Sequence, residues 1–198
     1  MEIIKPSKSA LKKTVKVINN RGVVICPTDT VYGFLADARS KGAVGKIYEI
    51  KKRPKSKPLP IFVKDMEMAE SLALIDGKTA KILRKFWPGK YTFILKLKSK
   101  NSKRKSKILK LYGVSKKTIA IRIPKYKFLN DLLEAINRPL VQTSVNISFK
   151  KPLKNIKQIA AFFGRSQLVS LIIDGGNLKD SLPSKIIDIS KDGLKRLR

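Results

Sequence analysis

Apolar positions along this chain switch between helical and strand-like spacing, and the switches mark out alternating helices and strands. Leu11, Val15 and Ile18 share one helical face, with Ser9 as the expected cap and Asn20 and Gly22 as the stop. A solid apolar run at residues 23–26 reads as a buried strand, broken by Pro27-Thr28-Asp29-Thr30 and followed by an extended segment over 31–38. Ala43, Val44, Ile47 and Ile50 repeat at helical spacing within 41–52, whose basic C-terminal end suits the helix dipole. A proline-bounded basic loop at 53–58 leads to a strand at 59–63, then helices at 66–75 and 79–86, ended by Trp87-Pro88-Gly89. Residues 91–97 read as a strand with one wet face, and 98–107 as a polar, lysine-dense surface loop.

In the second half, Ile119, Ile121 and Ile123 alternate with Thr118, Ala120 and Arg122, so Arg122 is expected on the face opposite the isoleucines. A helix at 125–136, a strand at 140–143, a helix at 155–162 and strands at 168–173 and 185–189 complete the reading. This interleaving predicts an α/β layered fold, and no repeat or composition shift marks a boundary, so residues 1–198 are expected to form a single domain.

Composition changes the picture in two ways. Lys+Arg 45 against Asp+Glu 14 gives a formal charge of +31, which calls for an anionic partner. Phosphate-bearing substrates, RNA and anionic membranes all satisfy it, and the scatter of lysines fits general lysine enrichment as well as a selected nucleic-acid surface. The absence of histidine excludes Ser-His-Asp and Cys-His nucleophile systems and the His-Glu-x-x-His zinc motif. Catalysis must then rest on lysine, arginine, hydroxyls, carboxylates and backbone amides, with a bound magnesium ion as a further option. The lone Cys26 sits in an apolar run and reads as a small buried hydrophobe. No run of about 18 apolar residues is present and the N-terminus lacks a signal-peptide pattern, so a cytoplasmic protein without a membrane span is expected.

Three polar clusters are read as each following or ending an apolar strand, where α/β folds place ligands. They are Pro27-Thr28-Asp29-Thr30-Val31-Tyr32-Gly33, Lys51-Lys52-Arg53-Pro54 through Lys57-Pro58, and Ser144-Val145-Asn146-Ile147-Ser148. They combine cations that can meet a triphosphate with hydroxyl and amide donors. Each alone also reads as a turn, a solvated helix end or a cap. Neither Gly-x-x-x-x-Gly-Lys-Ser/Thr nor Gly-x-Gly-x-x-Gly occurs, which removes the common nucleotide loops.

Taken in order, with Ile47-Tyr48-Glu49-Ile50 before the basic cluster, Trp87-Pro88-Gly89, Thr118-Ile119-Ala120-Ile121-Arg122-Ile123-Pro124 and Pro183-Ser184-Lys185-Ile186-Ile187-Asp188, these segments resemble the threonylcarbamoyl-AMP synthase (YrdC/Sua5) family from about residue 22 to 188. The resemblance implies an open layered fold around a twisted mixed sheet whose concave face holds the site. It also implies formation of threonylcarbamoyl-AMP and pyrophosphate from L-threonine, bicarbonate and ATP, with Mg2+ carried by the nucleotide, for t6A modification of tRNA. By motif match, Lys51 and Arg53 are the catalytic phosphate-holding pair, Ser144, Asn146, Thr118 and Lys57 meet ATP, and Thr30, Tyr32, Arg122 and Ser184 meet threonine. No protein-held metal is implied. Implied partners are the tRNA threonylcarbamoyl-transfer proteins that take the product. Departures from the family pattern are Lys185 after the serine, Phe62 where longer members often carry histidine, and Gln142-Thr143 in place of Ala-Pro. A non-catalytic RNA-binding protein would explain the charge but not the motif order, and a sugar-phosphate enzyme of related architecture would want an acidic metal site.

Overall fold

The computed structural model describes residues 1–98, 110–178, 182–191 and 195–197. Ten strands join in one mixed sheet: β1 (Glu2–Ile4), β2 (Val24–Cys26), β3 (Gly33–Asp37), β4 (Ile61–Phe62), β5 (Tyr91–Lys96), β6 (Thr118–Arg122), β7 (Leu140–Ser144), β8 (Leu171–Ile173), β9 (Lys185–Asp188) and β10 (Lys195–Arg196). Their spatial order is β1-β8-β2-β3-β7-β4-β6-β5-β9-β10. The helices are α1 (Lys8–Asn19), α2 (Lys41–Ile50), α3 (Met66–Leu72), α4 (Gly77–Phe86), α5 (Lys127–Ile136) and α6 (Ile156–Phe163). The α/β architecture is as the sequence predicts. The expected loop at 98–107 lies outside the described residues except for Lys98.

Alternation along the strands sorts side chains into two cores. On one face Val24, Cys26, Leu35, Phe62, Leu140, Leu171 and Ile173 pack against Ala10 and Ile18 of α1 and Phe128, Leu129, Leu132 and Leu133 of α5. On the other, Ile25, Phe34, Ile61, Ile121, Val141 and Ile172 meet Val44 and Ile47 of α2, Leu83 of α4 and Phe163 of α6. Cys26 is buried in the first core, and burial pushes its thiol well above the usual range. Arg122 lies opposite Ile119 and Ile121, as the alternation requires, but its side chain is only 1% exposed.

Local corrections have local causes. Ser7, not Ser9, caps α1: its Oγ accepts from the Ala10 amide at 3.1 Å, and Ser9 lies one turn position inside. The buried stripe of α1 runs through Ala10, Thr14 and Ile18, with Thr14 made tolerable by donating to the Ala10 carbonyl at 2.7 Å. Strands β1 and β10 were not expected, because these short outer strands are largely exposed and show no alternation to read. Their pairing comes from neighbours, β1 parallel to β8 and β10 antiparallel to β9.

Candidate active site

The segment between β2 and β3 is held by its own hydroxyls. Thr28 Oγ1 donates to the Val31 carbonyl at 2.8 Å and accepts from the Thr30 amide at 3.0 Å. Thr28 has one hydroxyl proton and Val31 takes it, so across the 2.9 Å contact between the two hydroxyls Thr30 is the donor. The lone pairs of Thr30 then face Arg122, whose Nη1 donates to Thr30 Oγ1 at 3.0 Å. Arg122 Nε donates to the Gly89 carbonyl at 2.8 Å, and Nη2 makes a close ion pair with Asp29 Oδ1. The guanidinium also stacks 5.5 Å from the Phe62 ring centre. A buried cation is sustained because a carboxylate, a hydroxyl and a carbonyl meet it together. Asp29 Oδ2 is buried with no hydrogen-bond partner among the described residues.

A second network ties the end of α2 to the chain after β7. Lys51 follows α2 as its cap and is 2% exposed. Its Nζ donates to the Ser144 carbonyl at 2.6 Å, the Asn146 carbonyl at 2.9 Å and Asn146 Oδ1 at 2.8 Å. Three acceptors call for three N–H donors, which only the ammonium form supplies. Burial, reinforced by the Arg53 guanidinium, nonetheless pushes the Lys51 pKa down to about 7. Asn146 is equally committed: Oδ1 also accepts from Ser144 Oγ at 2.7 Å, and Nδ2 donates to the Ile147 and Lys150 carbonyls. Ser148 Oγ is buried without a hydrogen-bond partner among the described residues.

Arg53 stands apart from this knot. It is half-buried, with Nε on the Lys57 carbonyl at 3.1 Å and Nη2 on the Pro58 carbonyl at 2.9 Å, while Nη1 is uncommitted among the described residues. Burial lowers its pKa without threatening its charge.

Thr30, Arg122 and Ser184 line one cavity of about 250 Å3 together with Lys51, Arg53, Ser144 and Asn146. Seven of the ten residues picked out from the sequence are thus brought together from five separate stretches of chain. Ser184 shares a 2.9 Å hydrogen bond with Thr92 Oγ1. The other three lie outside the lining. Tyr32 is buried, donating its phenol to the Gly176 carbonyl at 2.7 Å and accepting from the Gly175 amide at 2.9 Å. Burial holds its pKa up at about 12. Gly175 suits this junction because a Cβ there would lie 2.6 Å from Pro27 Cγ. Lys57 is exposed, its Nζ 4.5 Å from the ring centre of Phe149. Thr118 begins β6 on the same face as Arg122, at the far end of the strand.

Sequence reasoning gave no role to Asp29, Thr92, Gln142 or Phe149. Gln142 was visible as a departure from the family motif, and Phe149 as an aromatic directly after Ser-x-Asn-x-Ser. Phe149 adopts a left-handed φ of 67° and is 83% exposed at the cavity. A roomier cavity of about 730 Å3 lies between Leu74, Ile82, Leu95 and Ile189; its Asp76 is occupied in capping α4. Among the described residues no cluster of three or more His, Cys, Asp or Glu side chains could hold a metal, and no helix is long and apolar enough to cross a membrane.

The Sua5/YciO/YrdC family model, described as telomere recombination, matches residues 16–198. The chain belongs to this family. Among its Sua5/YciO/YrdC relatives, a putative threonylcarbamoyl-AMP synthase of Methanocaldococcus jannaschii is 38% identical over 191 residues, covering 96% of this chain and 86% of that one. A threonylcarbamoyl-AMP synthase of Psychromonas ingrahamii is 27% identical over 194 residues, covering 96% and 97%. Among solved structures, Sua5 of P. abyssi complexed with L-threonine superposes with a TM-score of 0.85 at 30% identity, covering 99% of this chain and 56% of that one. YciO of E. coli gives 0.84 at 25% identity, covering 100% and 94%. The family fold predicted from the motifs is therefore the fold observed.

Proposed function

We propose that this chain, acting as one catalytic domain, is an L-threonylcarbamoyladenylate synthase. The observation that carries the reading is the single cavity in which Arg122, anchored by Asp29, Thr30 and Gly89, opens beside Arg53 and the Lys51-Ser144-Asn146 knot. Its support is the likeness, at 27–38% identity over nearly the whole chain, to threonylcarbamoyl-AMP synthases. Two anionic reactants need neighbouring cations held in place, and the cavity supplies them without histidine.

In this reading threonine lies at Thr30, Arg122 and Ser184 with its carboxylate toward Arg122. Its nitrogen adds to carbon dioxide derived from bicarbonate and gives up a proton, forming a carbamate. A carbamate oxygen then attacks the α-phosphorus of ATP, the bond to the bridging oxygen breaks, and pyrophosphate leaves with the electron pair. Arg53, with donors to spare, neutralises charge on the phosphates. Lys51 acts differently from a simple phosphate ligand: with its donors committed, it fixes the loop that presents Ser144, and its charge acts on the phosphates through space. Magnesium enters with ATP as part of the substrate, held by phosphate oxygens and water.

Tyr32 braces the 174–177 segment behind the threonine end. Lys57 guards the phosphate side, and Thr118 receives the nucleoside end along β6, about 13 Å from Arg122. The product passes to tRNA threonylcarbamoyl-transfer proteins in the cytoplasm, and the +31 charge adds non-specific RNA affinity. Pyrophosphate release tests the reading: omission of threonine, bicarbonate or ATP should each abolish it, and release that persists without threonine would defeat it.

A further inference from the structure

Most polar groups around the cavity are committed to one another. The carboxamide of Gln142 is not. Gln142 is 8% exposed and lines the cavity, and among the described residues its side chain has no hydrogen-bond partner, while its backbone amide is settled on the Pro60 carbonyl at 2.8 Å. Its amide atoms are not among the buried polar atoms left without a partner, so they keep access to the cavity, where a ligand can complete their hydrogen bonds.

The fold holds this group in place. Gln142 lies in the middle of β7, between β3 and β4 near the centre of the sheet, where the backbone is paired on both sides. Room for its amide comes from the neighbouring strand: a Cβ on Gly33 would lie 3.2 Å from Gln142 Nε2 and 3.5 Å from its Cγ. Gly33 therefore leaves a slot that the glutamine side chain fills. Only β4 separates β7 from β6, so Gln142 reaches the cavity from roughly 10 Å across the sheet from Arg122, a span suited to an amino acid held between them.

The chemistry of the group indicates which part of the substrate it reads. A carboxylate or phosphate in this cavity has Arg122 and Arg53 to meet it. A neutral carboxamide offers a donor and an acceptor together, which matches a hydroxyl that is itself donor and acceptor. Val31 and Pro60 line the same cavity and provide apolar surface for a methyl group. We infer that Gln142 is a specificity-determining residue that hydrogen-bonds the β-hydroxyl of the amino-acid substrate, with Val31 and Pro60 receiving its β-methyl. This assignment rests on the synthase reading above and names the feature by which this chain selects threonine over its isostere valine.

The test compares kcat/KM for L-threonine and L-valine in wild type, Gln142→Leu and Gln142→Ala, using ATP- and bicarbonate-dependent pyrophosphate release. A site that hydrogen-bonds a substrate hydroxyl discriminates strongly against an analogue lacking it. Wild type should prefer threonine, and both variants should shrink that preference at least about tenfold, with KM for ATP unchanged. Two substitutions of different volume guard against one simply failing to fold, which a thermal melt reveals. An equal fall for threonine and valine, leaving the ratio intact in a folded variant, would make Gln142 structural and overturn the inference. Wild type inactive with threonine would instead overturn the synthase reading itself, a result visible before any variant is made.

Discussion

The two ends of β3 put cations to different uses. At the Gly33 end, paired with Ser144, the cavity holds Arg122 and Lys51 at 1% and 2% exposure, each surrounded by at least three named acceptors or partners. At the Asp37 end a more open cleft of about 630 Å3 gathers Arg21, Arg39, Lys41, Lys110 and Arg138. Asp37 takes Arg138 Nη1 at 2.9 Å and Arg39 at 3.3 Å, and the other three cations have no carboxylate partner among the described residues. The cleft is richer in charge and the cavity richer in constraint. A charge of +31 therefore says little about where chemistry occurs; burial of a cation against fixed acceptors says much more.

The largest expected effect is at Arg122. Arg122→Ala leaves the Asp29 carboxylate buried without its cation, and breaking such a pair costs about 3–5 kcal/mol. Its thermal melt should fall far below wild type, and calorimetry should show threonine affinity weakened by about 2–3 kcal/mol. A wild-type melt would put the pair on the same footing as the cleft's exposed cations.

Next comes Arg53→Ala, expected to lower pyrophosphate release by about 100-fold or more while the melt changes by less than about 1 kcal/mol in stability. Full turnover in this variant would remove Arg53 from the site.

Lys51 gives a pH test. The loop needs the ammonium form, and the folded-state pKa lies near 7, so kcat/KM should fall as pH rises through that value. The unfolded lysine keeps its proton to about pH 10, so between these values the unfolded chain binds more protons and the lysine's contribution to stability rises with pH. Activity and this stability term thus move in opposite directions, and Lys51→Met should lose both. A flat activity profile to pH 9 would argue against a titrating Lys51.

The smallest catalytic effect belongs to the cleft. Arg21→Gln, Lys41→Gln and Lys110→Gln together should leave threonine-dependent release near wild type and flatten the salt dependence of RNA association, whose slope scales with phosphate contacts. A matched loss of synthesis at high salt would dissolve the distinction between the two regions.

What was legible in the sequence follows the same division. Periodicity located each helix of the described residues and the central strands, because one-faced burial writes itself into spacing; β1 and β10 carry no such imprint and take their partners from β8 and β9. Motif order placed Thr30, Arg53, Arg122, Ser144 and Ser184 around one cavity. It could not show that Lys51, the first member of a basic run, turns inward while Lys52 stays exposed, or that the Tyr32 phenol is used on Gly175 and Gly176. Nor could it show that Asp29 meets Arg122, 93 positions further along the chain. Depth and long-range pairing are properties of the packed chain, and single-residue patterns do not encode them.

The most direct measurement supplies 13C-bicarbonate with ATP and L-threonine and determines the mass of the adenylate released alongside pyrophosphate. The account predicts threonylcarbamoyl-AMP carrying one 13C, formed only when all three reactants are present. An unlabelled threonyl adenylate, or pyrophosphate without a carbamoylated product, would contradict it.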